Sequence, residues 1–440
     1  MKKRDTLFIG LMLFSMYFGA GNLIFPPFLG VQSGTSFWLA ISGFVLTGVG
    51  LPFVVILAIS LVKGGVQTIG NRVHPVFSTI FMVIVYLSIG PFLAIPRNAN
   101  VAFETGLKPF IHVGNSSLVL FLYSVVFFAL VYFISLNPTN MEKYLGRFIT
   151  PILLVSMVIL CVVGFVKLDT SFLAPSVAYE KGAFSKGFIE GYNTMDALAS
   201  LAFGIVILTA IGQKGVKDRK QLTKYTLKAG VIAGSLLALV YVSLGMIGVK
   251  MAGSGSFDNG TDILSNASTV LFGTSGKVLL GLIFTLACFT TVVGLTTACG
   301  QYFSKLMPKI SYKWIVLAVT LVGFTLSNLG LNQILKFSVP FLVTAYPITI
   351  VLIALTFFNR YFKNTRAVYG STVLFTGVFA CLGGLSAFGV DLGPLQTMRE
   401  VLPFSSYGLE WVVPAIVGTL IGMGFGVKVT GTSQYLEGEG

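Results

Sequence analysis

The chain has 440 residues, 55% hydrophobic and 10% charged, with a mean hydropathy of +0.89 and a formal net charge of +14. An average soluble domain is about 25% charged, so a water-soluble globule is excluded, and the long continuous apolar runs exclude an outer-membrane barrel built from ~10-residue alternating segments. What remains is an all-α integral membrane protein, because helices satisfy their own backbone in lipid.

Apolar runs bounded by charges and turn residues predict twelve spans, near 6–32, 36–62, 76–96, 116–136, 148–167, 187–212, 223–249, 277–302, 313–329, 332–358, 367–389 and 407–428. They make a single membrane domain over residues 1–440. Twenty of the 29 Lys and Arg residues fall in segments on the side of the N-terminus, six of them between Lys214 and Lys228, and the other nine fall on the far side. The acids Glu104, Asp169, Glu180, Glu190, Asp258, Asp262, Asp391, Glu400 and Glu410 lean to the far side. Both termini are therefore expected in the cytoplasm. The same rule accounts for the basic balance without a nucleic-acid partner, and the stretch 213–228 reads as a loop resting on anionic membrane lipid. Met1-Lys2-Lys3-Arg4 and the apolar segment after it resemble a signal peptide, but no small-residue cleavage site follows, so a retained first helix is expected.

The centre of the first span reads Phe18-Gly19-Ala20-Gly21-Asn22-Leu23-Ile24-Phe25-Pro26-Pro27. Two glycines and an asparagine each disfavour helix by up to ~1 kcal/mol relative to alanine, and the prolines remove two donors. A break near Gly19 to Asn22 is expected, with a tightly packed, proline-kinked helix as the alternative. An unwound segment presents N–H groups at the start of the second half-helix, suited to a carboxylate, and carbonyls at the end of the first, suited to a cation. Irregular backbone at that depth survives only in protein or along a cavity.

The sixth span carries Tyr192-Asn193-Thr194-Met195-Asp196, then Ala197 to Gly204. Asp196 is an acid inside an apolar run, which is functional by default; the alternative is a cap at the outer mouth. Interrupted segments at corresponding places in two halves point to a secondary-transporter site. If spans 1–5 and 6–10 correspond, their odd number makes the second set insert upside down: repeats over 1–170 and 186–360, with 366–430 added. In the eighth span Ala287, Thr290 and Thr291 share a face and suit a hard monovalent cation, unless the threonines bond the carbonyl four residues back. Cys161, Cys288, Cys299 and Cys381 have no metal-like spacing and read as packing residues. Gly418, Gly422 and Gly426 form a close-approach surface on the last span. The N-x-S/T triplets at Asn115, Asn259 and Asn266 matter only in a secretory pathway.

The stretch Phe18 to Phe28, together with Gly191-Tyr192-Asn193-Thr194-Met195-Asp196 and the span pattern, resembles the branched-chain amino acid:cation symporters, the bacterial system II carriers of the amino acid–polyamine–organocation superfamily. The resemblance covers essentially the whole chain. It implies a leucine-transporter-like fold of five plus five inverted helices with two more, helices 1 and 6 being discontinuous. Gly19-Ala20-Gly21-Asn22 matches the unwound Gly-x-Gly-Asn of sodium-coupled amino acid transporters, which implies that the Ala20 and Gly21 N–H groups receive a carboxylate. Ser200-Leu201-Ala202-Phe203-Gly204 is similar to their Ser-Leu-Gly-Phe-Gly, with Ala202 in place of a glycine. It implies backbone oxygens from Ala197 to Ser200 around the substrate ammonium, and Phe203 on the side-chain pocket. Ala287-Cys288-Phe289-Thr290-Thr291 resembles the Ala-x-x-Thr-Ser ion motif, with carbonyls near Ser15 and Phe18 completing a sodium site. The sequence departs in having one residue fewer between Asn22 and Pro26, and no clear third-helix tyrosine for the carboxylate, for which Gly90-Pro91-Phe92 is the expected replacement.

The resemblance implies import of leucine, isoleucine and valine by alternating access across a bacterial plasma membrane, with no resident cofactor. Sodium is the expected coupling ion and protonation of Asp196 the alternative. Against an enzyme, His74 and His112 fall in loops on opposite faces and no catalytic cluster lies within a span. No ring of charges marks a channel. A same-fold carrier of polyamines requires several buried acids, where one is read here; a nucleobase carrier stays open.

Overall fold

A computed structural model describes residues 2–111, 116–169, 172–329 and 331–425, and among them every regular element is helical. His112, Asn115, Gly426, Lys428 and the tail to Gly440 lie outside the described residues.

The first predicted span is two helices, α1 (Lys3–Tyr17) and α2 (Ala20–Ser33), separated by Phe18 and Gly19. Phe18 closes α1 by donating its N–H to the Phe14 carbonyl at 2.8 Å. Pro26 and Pro27 lie inside α2 without ending it. The second span is α3 (Phe37–Val45) and α4 (Leu51–Leu61), joined by a π turn over Leu46–Gly50. A short α5 (Val66–Asn71) precedes α6 (Pro75–Leu87), whose start is capped by His74 Nδ1 accepting the Val76 N–H. From α6 the chain kinks at Ser88–Phe92, where Pro91 lacks a donor and Gly90 leaves the helical region at ψ −119°. It then continues as α7 (Ala94–Gly106).

After α8 (Ser116–Ser135), a π segment over Glu142–Ile149 leads into α9 (Thr150–Lys167). The sixth span is again divided. α10 (Val177–Glu180) and α11 (Ala183–Glu190) are followed by a 3₁₀ turn over Gly191–Thr194, by Met195 at φ 67°, and by α12 (Asp196–Gln213). The remainder are α13 (Arg219–Met251), α14 (Gly260–Phe272), α15 (Thr274–Leu306), α16 (Tyr312–Ser327), α17 (Leu331–Phe358), α18 (Thr365–Ala387), α19 (Pro394–Glu400) and α20 (Val412–Gly424).

Nine helical stretches among the described residues are long and apolar enough to cross a membrane, and α16 and α20 are shorter apolar helices. The third span outruns its expected end at residue 96 and reaches Gly106. Reading spans as purely apolar stops them at the first charge, here Arg97, although a helix surrounded by other helices carries polar residues inward.

α1, α2, α7, α12, α13 and α15 pack around one another. At the end where α1 starts, Lys214 bonds Glu142 at 2.5 Å and lies 3.9 Å from Asp5, while Arg147 bonds Glu142 at 3.1 Å. The opposite end closes backbone against backbone. A Cβ at Gly30, Gly248 or Gly260 would overlap the carbonyl oxygen of Gly245, Pro27 or Ile24 respectively. α20 lies as closely on α18, with Gly418 against Ser371 O and Gly422 against Val368 Cα. Of the cysteines, Cys161, Cys288 and Cys299 are buried, but Cys381 is exposed on α18, so its expected packing role is corrected.

Candidate functional site

The two helix breaks face each other. Gly19 begins the second half-helix in extended backbone (φ −121°, ψ −160°) and gives its N–H to Asn22 Oδ1 at 3.2 Å. The neighbouring Ala20 N–H goes to Asn98 Oδ1 on α7 at 2.8 Å, and Asn98 is held in turn through its Nδ2 on Ala94 O at 2.7 Å. Asn22 Nδ2 donates to Asp196 Oδ2 at 2.6 Å and meets the Tyr241 hydroxyl, which itself donates to Asp196 Oδ2 at 2.9 Å. The start of α2 is thereby tied to the start of α12 through neutral donors on one carboxylate oxygen.

Between the breaks lies a cavity of about 20 Å³, room for roughly one water, whose lining includes Gly19, Ala20, Gly21, Asn22, Arg97, Asp196, Phe203 and Thr291. The Tyr17 ring meets Phe203 edge-on at 5.3 Å. A stacked pair, Tyr192 on Tyr346 at 4.3 Å, joins the turn before α12 to α17.

Beside the cavity, an oxygen cluster joins α1 to α15. Thr290 Oγ1 lies 2.8 Å from Ser15 O and 3.0 Å from both Leu286 O and Ala287 O, and Thr291 Oγ1 is 3.5 Å from Ser15 O. One hydroxyl proton serves one of those carbonyls at a time, so neutral acceptor oxygens converge there, the donor type that hard cations take. The bond to Leu286 O is also the four-residue back-bond that the sequence left as the alternative.

A larger space of about 620 Å³ opens at the end of the bundle that carries the Lys214 network, walled in part by Gly64, Tyr86, Ile205, Arg219, Tyr302 and Lys305. α12 runs from one space to the other: Ala199 and Phe203 face the cavity, and Ile205, Leu208 and Thr209 face the vestibule.

The family model for the branched-chain amino acid transport protein matches residues 2–428. The chain belongs to that family. This family member is 44% identical over 421 residues to the branched-chain amino acid permease BraB of Bacillus subtilis strain 168, covering 95% of each chain. It is 43% identical over 430 residues to the permease BrnQ of the same strain, covering 97% of this chain and 98% of the relative. Among solved structures it resembles Mhp1, a nucleobase-cation-symport-1 family transporter in a closed conformation with bromovinylhydantoin bound, at TM-score 0.62 and 16% identity, over 95% of this chain and 91% of that one. It also resembles MhsT in complex with L-phenylalanine, at TM-score 0.53 and 16% identity, over 95% and 98%. The fold is accordingly leucine-transporter-like, and the protein is a membrane protein.

Within this family member, Ser15, Ala287, Thr290 and Thr291 come together, and the Phe18 ring stacks on Phe14 at 5.2 Å. Gly19, Ala20, Gly21, Asn22, Asp196 and Phe203 share the cavity. Three expectations need correction. The first break falls at Phe18 and Gly19, so Gly21 and Asn22 already belong to α2, and the Ala20 N–H has a side-chain acceptor. The second falls ahead of Asp196, so the backbone of Ala197 to Ser200 runs inside α12; Ser200 turns to Tyr17, at 2.6 Å, and bonds Asp196 O at 2.7 Å. Gly90 packs on Cys299 and Phe92 is 46% exposed, so of the Ser88–Phe92 kink only Ile89 reaches the cavity.

The sequence reading missed Arg97, Asn98 and Tyr241. Arg97 was assigned to a far-side segment, yet it is 4% exposed and lines the cavity. The readable signal was Arg97, Asn98 and Asn100 followed at once by Val101-Ala102-Phe103, an apolar run that carries the helix on past the charge.

Proposed function

We propose that this protein imports leucine, isoleucine and valine by sodium symport, working by alternating access. The observation that carries the reading is the junction of the first-helix break with the Ser15–Thr290 oxygen cluster: one element, the end of α1, touches both the candidate ion site and the candidate substrate cavity. An ion held there ties α1 to α15 and favours conformations in which the two are together, which is what coupling requires. The family and its permease relatives support the substrate class. A branched side chain against Phe203 contributes about 1.5–3 kcal/mol. A single methylene discriminates weakly, so the three substrates are taken as a group.

With the basic loops in the cytoplasm of a bacterial cell, the vestibule faces inward and the glycine-packed end faces outward. The chain then stands in an inward-facing arrangement whose substrate cavity has closed to about 20 Å³. The five-plus-five inverted repeat over 1–170 and 186–360 belongs to the same reading, supported by the fold likeness and by breaks in the first and sixth spans.

The test is uptake of labelled leucine into liposomes holding the purified protein, under an inward sodium gradient, a proton gradient, or neither. Sodium-driven accumulation blocked by isoleucine and valine is the expected result. Accumulation under the proton gradient alone moves coupling to Asp196, the buried acid beside the cavity, and overturns the sodium assignment. No accumulation by folded protein under any gradient overturns the cargo.

A further inference from the structure

We propose that Arg97 and Asp196 clamp the two charged ends of an amino-acid zwitterion, Arg97 receiving the carboxylate and Asp196 the ammonium. The proposal deepens the amino-acid reading above and rests on it. Arg97 keeps its charge at any physiological pH and is almost fully buried, at 4% exposure. Its Nη1 donates to the Asn193 carbonyl at 3.2 Å, and its Nε has no partner among the described residues. Gly21 makes its place possible, because a Cβ there would stand 3.0 Å from Nη2. Among the described residues Arg97 forms no ion pair. A buried guanidinium with no directly bonded anion is unfavourable, and this one borders a cavity, so a contact anion is what it lacks.

Asp196 presents the complementary case. It is 2% exposed, and the hydrogen bonds from Asn22 and Tyr241 both end on Oδ2 and both come from neutral groups. The two opposite charges face one cavity and lie within electrostatic reach of each other without forming an ion pair. A zwitterion inserted between them meets both charges at once. An amine or a carboxylic acid alone meets one and leaves the other buried and unpaired. The obvious competitor for the carboxylate, the N-terminus of α2, is partly engaged already through the Ala20 N–H on Asn98.

The experiment is equilibrium binding to the purified full-length protein of leucine, leucinamide (no carboxylate) and 4-methylpentanoate (no ammonium), with wild type, Arg97→Gln and Asp196→Asn. Removing one partner of a buried charge pair weakens binding by about 30-fold or more. Arg97→Gln is therefore expected to lose that factor for leucine while holding leucinamide near the wild-type level. Asp196→Asn is expected to lose it for leucine while sparing 4-methylpentanoate. Equal losses for leucine and leucinamide in Arg97→Gln, or leucine binding within threefold of wild type, overturn the clamp. Should Arg97→Gln fail to fold, the wild-type series decides: leucine and leucinamide binding equally well overturns it, and a gap of about 30-fold sustains it. If wild type ignores branched-chain amino acids but binds another amino acid with the same need for both ends, the cargo reading falls and the clamp stands.

Discussion

The two ends of the bundle are held together by different physics. At one end Gly30, Gly248 and Gly260 let α2 lie with its backbone against α13 and α14, so closure there is made by surfaces that fit only when no side chain intervenes. At the other, Asp5, Lys214, Glu142 and Arg147 reach across long side chains, and a vestibule of about 620 Å³ stays open beside them. Backbone closure is intolerant of any added atom but indifferent to salt. Ionic closure is adjustable and screened. If the ends open in turn, as proposed, one end is either together or apart and the other responds to its surroundings.

The sharpest way to break the contrast is Gly248→Leu, whose side chain meets the Pro27 carbonyl. Overpacking worth about 2 kcal/mol is expected to lower leucine uptake by about 30-fold while the protein still inserts, and to expose an Ala199→Cys probe to an impermeant thiol reagent from the glycine end. Unchanged uptake would remove backbone closure from the cycle. Next comes Thr290→Ala, between the two ends: if the proposed sodium site is right, loss of one oxygen is expected to raise the half-saturating sodium concentration about tenfold, with leucine affinity at saturating sodium little altered. A proportional change in both refers Thr290 to folding instead. Phe203→Ala, between cavity and vestibule, is expected to weaken leucine binding about fivefold more than alanine binding, read by competition against labelled leucine. The smallest effect belongs to Glu142→Gln, which breaks the two ion pairs that Glu142 makes at the adjustable end and leaves Lys214 beside Asp5. Glu142 is buried but its partners Arg147 and Lys214 are exposed or half-buried and stay solvated when it is neutralised, so about 1 kcal/mol or less is at stake, a two- to threefold rise in transport KM is expected, and raising the salt concentration should reproduce it in the wild type.

The break in the first helix was legible because Gly19 and Gly21 disfavour helix there, yet its place, at Phe18 and Gly19, was set by something spacing does not encode. Asn22 bends back to accept the Gly19 N–H, so helix resumes at Ala20. In the sixth span, the resemblance implies backbone oxygens free for the substrate from Ala197 to Ser200. Instead Ser200 stays helical by bonding Asp196 O, and the loosening falls where Met195 takes a left-handed conformation. Thr290, Thr291 and Ala287 were legible because one helix face carries them. Arg97 was not, because a charge at the edge of an apolar run looks the same in sequence whether it meets water or a cavity. The vestibule depends on how α4, α12 and α15 stand apart, and no local pattern records that distance.

α13 and α15 are each 33 residues long, about 50 Å at 1.5 Å per residue, against a hydrocarbon layer of about 30 Å. Such helices tilt or project, and α13 packs on both halves of the first span while α15 packs on α1, α7 and α12. Any change in tilt during transport therefore passes directly into the site, and bilayer thickness becomes a mechanical load on the cycle. Turnover in liposomes of graded acyl-chain length is accordingly expected to peak at one thickness and to fall on either side of it.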